Sequence, residues 1–185
     1  MFAVRRMLVL LAGLLGCAST PRAPPLMPGG LDAAASQGTW HVVATTFPMW
    51  TDGRRRDPTF TYSNLRRDGD EVRFDDTVGF VKDGEADTIR GVDTQHASVA
   101  THFTWRGRGW LVFFTSDWDV VALDPAGRWA ALTFTSTIAT PAGLDIIART
   151  PTLDDATFND AVARLQTDPA LRPFLTNLVR LGARR

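Results

Sequence analysis

Trp40-His41-Val42-Val43-Ala44-Thr45-Thr46-Phe47 decides the fold. It is built from β-branched and aromatic residues, which suit a pleated and partly buried surface. The same character returns along the chain at short intervals. Thr59-Phe60-Thr61-Tyr62-Ser63-Asn64-Leu65 alternates bulky with small polar residues, the pattern of a half-buried strand. Arg67-Asp68-Gly69-Asp70 reads as a hairpin turn in which Gly69 supplies a positive φ. The next strand is predicted over 71–81, and Lys82-Asp83-Gly84 as the next turn. Further strands fit 86–92, 98–105, 111–123, 129–137 and 144–149, with turns at Asp124-Pro125-Ala126-Gly127 and Thr140-Pro141-Ala142-Gly143. About eight strands joined by short turns is the rhythm of an antiparallel barrel or sandwich.

After residue 151 the period changes. Thr152-Leu153-Asp154-Asp155 resembles a capping box with Thr152 as the cap and Asp155 near the positive helix end. Phe158, Ala161, Val162 and Leu165 recur at helical spacing. Asp168-Pro169 reads as a second cap with proline at the first helical position, and Leu171, Phe174, Leu175, Leu178 and Leu181 form one apolar stripe. The ordinary reading of that stripe is a helix packed on the sheet. A peptide-binding or membrane-lying helix is the alternative.

Before the first strand the chain has a different chemistry. Arg5 and Arg6 head an apolar run, Met7 through Leu15, and Gly16-Cys17 follow; Cys17 is the only cysteine. That is the layout of a secretory signal peptide, and the run falls short of the roughly 20 residues that span a bilayer. Leu14-Leu15-Gly16-Cys17 resembles a bacterial lipobox, which implies cleavage after residue 16 and lipid on Cys17. An ordinary signal peptide that contains a cysteine is the alternative. Two or three acyl chains anchor stably. Ala18, not an aspartate, follows the cysteine, which resembles the sorting signal for the outer membrane; with a single membrane, the anchor would sit there. Residues 17–37, rich in Pro, Gly and Ala, read as a tether without a core of its own.

The compartment so implied is oxidising, yet no cysteine besides Cys17 is present to form a disulfide. Core burial must hold the domain. Without Arg5 and Arg6, 18 basic side chains face 20 acidic ones, so no basic stripe marks a nucleic-acid partner.

Four segments carry a family resemblance. They are Gly38-Thr39-Trp40-His41-Val42-Val43-Ala44, Phe60-Thr61-Tyr62-Ser63, Asp119-Val120-Val121-Ala122-Leu123-Asp124 with Arg128-Trp129-Ala130, and Ile146-Ile147-Ala148-Arg149-Thr150-Pro151. In that order and spacing, behind a lipobox, they resemble the lipocalins, and among them the bacterial outer-membrane lipoprotein lipocalins. The resemblance implies an all-β fold: an eight-stranded antiparallel up-and-down β-barrel over 38–151, with a C-terminal α-helix or helices over 152–185 packed on the outside. Two features depart from it. Ala126-Gly127 stands where the family often has an aromatic, and residues 150–185 leave room for two helical segments.

The resemblance also implies a structural floor in which Arg149 packs across the ring of Trp40. Strand alternation then assigns the interior. With Trp40 inward, Val42, Ala44 and Thr46 face in. Family parity puts Phe60, Tyr62 and Asn64 inward, and Arg149 inward brings Ile147 and Asp145 with it. A slip of one residue would reverse each set. The expected ligand-lining residues are therefore Val42, Ala44, Phe60, Tyr62, Asn64, Asp145 and Ile147. An inward Asp145 must be paired, hydrogen-bonded or protonated. It orients a polar ligand head or takes a proton, or else it pairs with an arginine or a hydroxyl.

Trp105, Trp110 and Trp118 cluster around Arg106-Gly107-Arg108-Gly109. One reading is an open rim resting at a membrane interface. The other is an exposed hairpin plus core aromatics. His41, His96 and His102 have no metal spacing, Asp75-Asp76 point to opposite faces of a strand, and no Gly-x-Ser-x-Gly elbow occurs. No catalytic residue, metal or cofactor is expected. The expectation is a lipid-anchored lipocalin facing the periplasm that carries or stores a fatty acid or lysophospholipid. The alternatives are a filled barrel that binds an envelope protein, and an enzyme acting on a lipid or isoprenoid.

Overall fold

The computed structural model describes residues 32–69, 71–95 and 100–182. The signal peptide, Cys17 and the tether up to residue 31 lie outside the described residues, as do Asp70 and 96–99, with His96 and the start of the expected fifth strand. The elements are β1 (Gly38–Thr45), α1 (Pro48–Thr51), β2 (Arg55–Asp68), β3 (Glu71–Lys82), β4 (Glu85–Gln95), β5 (His102–Gly107), β6 (Thr115–Leu123), β7 (Trp129–Phe134), β8 (Gly143–Ala148), α2 (Asp155–Gln166), α3 (Arg172–Leu175) and β9 (Val179–Arg180). Each of β1 to β8 pairs antiparallel with its chain neighbour, and β1 also pairs with β8, so the sheet closes as an eight-stranded up-and-down barrel. The β3–β4 hairpin turns on Asp83 and Gly84, both at positive φ, the two-residue loop whose twist matches that of paired strands. The expected strand at 111–123 is shorter than predicted. A 3-10 turn at Gly109–Leu111 precedes β6, which starts at Thr115.

Two apolar clusters hold the molecule together. The first fills the barrel and includes Trp40, Val42, Phe60, Tyr62, Phe74, Phe103, Trp118 and Ile147. The second is a seam between the outer wall and the C-terminal helices, with Val43, Ala44, Trp129, Ile146 and Ala148 against Leu153, Ala161, Leu165 and Leu171. A wall covered on both faces reads as a continuous apolar run rather than an alternation, which explains Val42-Val43-Ala44 and Ile146-Ile147-Ala148.

Bulges correct two of the inward assignments. Val42 pairs with Ile147 and Ala44 with Ile146, so β1 holds one extra residue there. Beyond it the parity flips. Ala44 packs in the outer seam, not the interior, and Thr45 takes the inward place beside Asp145. In β2, Ser63 pairs with Asp75 and Arg66 with Arg73, again one residue extra. Asn64 sits there at φ 53, exposed, and donates from Nδ2 to Asp75 Oδ2 at 2.9 Å. Leu65 packs on the interior in its stead.

The ends of the domain also differ from expectation. The tether does not run to residue 37 as unpacked chain: Ala33 is 3% exposed and belongs to the barrel core. The cap of α2 is Asp154, whose carboxylate accepts from Thr157 N at 2.9 Å, rather than Thr152. Asp168 accepts from Ala170 N without opening a helix, and α3 begins at Arg172 with Pro173 in its first turn. The unforeseen β9 adds two residues beside Ala44 and Thr45 of β1.

Candidate ligand-binding site

One end of the barrel is sealed. Trp40 Nε1 donates to the Ser36 carbonyl at 2.7 Å, and the Arg149 guanidinium stands 3.7 Å from the Trp40 ring centroid. Arg149 donates to the carbonyls of Ala35 at 2.6 Å and Thr39 at 3.3 Å. Residues 32–37 are thus drawn across the floor by the pair that the sequence placed there.

Above the floor, aromatic rings fill the barrel. Phe103 stacks on Trp118 at 4.1 Å, Trp118 stacks on Tyr62 at 6.0 Å, and Phe74 meets Tyr62 edge-on at 5.0 Å. Val42 and Ile147 belong to this packed part. Toward the other end the interior opens into a cavity of about 580 Å³, lined among others by Phe47, Trp50, Arg55, Phe60, Val78, Ile89, Trp105, Phe134 and Asp145. A deeper lobe of about 110 Å³ shares Phe60, Val78, Trp105, Ser116 and Phe134 with it, and adds Tyr62, Asp76 and Trp118.

Of the expected lining residues, then, Phe60, Tyr62 and Asp145 line the open space. Val42 and Ile147 are inside but packed. Ala44 and Asn64 are elsewhere. The three clustered tryptophans separate: Trp118 lies in the central stack, Trp105 lines the cavity, and Trp110 is 80% exposed at the mouth. Leu111 and Phe114 line the cavity beside it. The neighbouring arginines are engaged, Arg108 with Asp75 at 2.7 Å and Arg106 with the Val112 carbonyl at 3.2 Å.

The electrostatics of the interior are acidic. Asp145 accepts from the Thr45 hydroxyl at 2.6 Å, so its partner is a hydroxyl. Burial pushes its carboxyl up to about 7 against that hydrogen bond. Asp93 accepts from Trp118 Nε1 at 2.8 Å, and burial raises it to about 7 as well. Asp76 is raised by burial first and by Asp93 second. Asp75, next in the chain, faces outward to Arg66 and Arg108. Sequence reasoning separated Asp75 from Asp76 correctly but missed that Asp76 meets Asp93 inside. The alternation Phe74, Asp76, Val78, Phe80 carried the signal for Asp76. At the mouth, Arg55 holds its Cζ 5.5 Å from the Phe80 ring centroid, and its buried Nε has no partner. Among the described residues, no three His, Cys, Asp or Glu side chains are grouped to hold a metal.

A lipocalin-like domain model matches residues 31–170. The chain belongs to the lipocalin family. Among solved structures, this lipocalin is similar to a siderocalin, Ex-FABP, described as functioning through dual ligand specificities; the TM-score is 0.59 at 11% identity, covering 82% of this chain and 96% of the other. It is also similar to apocrustacyanin C2, with TM-score 0.56 and 17% identity over 80% of this chain and 79% of the other. Apocrustacyanin C1 gives TM-score 0.56 and 14% identity over 82% and 79%. At these identities the likeness is one of fold. No curated protein sequence matches the chain.

Proposed function

We propose that this lipocalin carries or stores one single-chain lipid, a fatty acid or lysophospholipid, in the open half of its barrel. In this reading Cys17 holds it by lipid to the outer membrane, facing the periplasm, or to the cell membrane where there is only one. The observation that carries the reading is the cavity of about 580 Å³, apolar in most of its lining and closed below by packed aromatic rings. A few polar groups in an apolar concavity suit binding by burial with one oriented head.

Polarity sets the direction of entry. Asp76, Asp93 and Asp145 offer a carboxylate no positive charge in the interior, while the Arg55 guanidinium stands at the mouth. A fatty acid therefore enters tail first and leaves its carboxylate at Arg55. Trp110 and Phe114, exposed in the cavity lining, suit loading from a lipid surface, since indole and apolar side chains partition to that interface. Titrating palmitate or a lysophospholipid against tryptophan fluorescence tests the reading, because Trp105 lines the cavity. Saturation at one ligand per chain is expected, with palmitate weakened several-fold by Arg55→Gln. An absence of saturable quenching by either lipid would count against it.

A further inference from the structure

The inner lobe holds an acceptor that nothing in the protein satisfies. Asp76 lies on the inward face of β3, is 6% exposed, and its Oδ1 has no hydrogen-bond partner. Asp93 stands on the neighbouring strand, diagonal to it, since Asp76 pairs with Gly91. Its Oδ1 accepts from Trp118 and its Oδ2 is also unpartnered. Buried carboxyl groups are normally paired, and an isolated one is costly. Arg149 is committed to the floor and Arg55 stands at the mouth.

Aromatic faces complete the lobe. Phe60, Tyr62, Trp105, Trp118 and Phe134 surround Asp76. Trp105 reaches this position because residue 91 is glycine: a Cβ there would lie 2.1 Å from Trp105 Nε1. That indole N–H is unpartnered too, so the orphaned acceptors outnumber the orphaned donor. The ring faces and the carboxyls both favour positive charge. An ammonium group brings three donors and no acceptor. An alcohol brings one donor and no charge, and a carboxylate brings only acceptors.

We propose that this lobe is an ammonium subsite, so that the lipocalin takes long-chain primary amines head first, the ammonium donating to Asp76 and the alkyl chain filling the outer cavity. The proposal rests on the outer cavity being open to single-chain ligands, as argued above. The test compares dodecylamine with 1-dodecanol on the purified full chain, below their aggregation concentrations, by calorimetry and tryptophan quenching. The amine is expected to bind at least tenfold more tightly than the alcohol. Asp76→Asn erases the difference, whereas Asp75→Asn, one residue away but facing outward, keeps it. Should Asp76→Asn fail to fold by circular dichroism, Asp93→Asn is expected to cut the amine preference several-fold. If the alcohol binds and the amine binds no better, or if the preference survives these inward substitutions, the subsite is wrong and the cavity reading stands. If neither compound binds, both fall.

Discussion

Trp40 is fixed from two directions, by the Ser36 carbonyl on its N–H and by the Arg149 guanidinium on its face. Removing the indole opens a cavity in the packed floor. Trp40→Ala is expected to cost ~3–5 kcal/mol in urea unfolding, and Arg149→Met ~0.5–2 kcal/mol from the cation–π contact. Equal stability of Trp40→Ala and the parent would remove the floor from the account. The buried carboxyls make a second expectation at this scale. Burial pushes the Asp93 and Asp145 carboxyls up to about 7 in the folded state, from 3.8 for a free carboxyl. Between about pH 4 and 7 these two carboxyls hold more protons in the folded state than in the unfolded chain, so the stability they contribute falls as pH rises through that window. His41, lowered by burial, works weakly the other way. The unfolding free energy should be higher at pH 5 than at pH 8, by on the order of a few kcal/mol, and Asp145→Asn should flatten the slope. A slope that Asp145→Asn leaves untouched would assign it to other groups. Asp145 was legible in the sequence through the parity of β8. Asp93 was not, because its inward neighbours Gly91 and Gln95 give β4 no apolar alternation to read.

At the scale of elements, the strands and their turns were written in β-branched runs and Asp-Gly punctuation, and most of them lie where those patterns put them. The bulges were not. One inserted residue leaves composition unchanged and shows only when two strands are set in register. It is what moved Ala44 and Asn64 off the interior. The small side chain of Ala44 therefore makes room for the helix seam rather than for a ligand. Ala44→Leu is expected to lower stability by ~1–3 kcal/mol through overpacking, measured by urea unfolding, and to leave lipid affinity as it was. A change in affinity with stability unaffected would restore Ala44 to the cavity. The same limit applies to Ala33. Nothing local distinguishes it from Ala34 or Ala35, and its burial depends on Trp40 and Arg149 pulling the chain over the floor.

The whole molecule is a barrel filled at one end and open at the other, and its shape carries the functional claim. Closure follows from β1 pairing with both β2 and β8, which leaves the barrel without a free edge. The sequence made the closed fold legible through four segments in order, but not how far the rings of Phe74, Phe103 and Trp118 fill it. That depth depends on rings stacking across strands far apart in the chain. What remains open is lined at both levels by Val78, which touches the outer cavity and the inner lobe alike. The most direct measurement is therefore lipid binding by Val78→Trp, a substitution that plugs the space from within. The account predicts one saturable lipid per chain in the parent, and no saturable binding in a Val78→Trp protein that keeps the parent's circular dichroism. Undiminished binding by the folded variant would place the ligand outside the barrel and contradict the account.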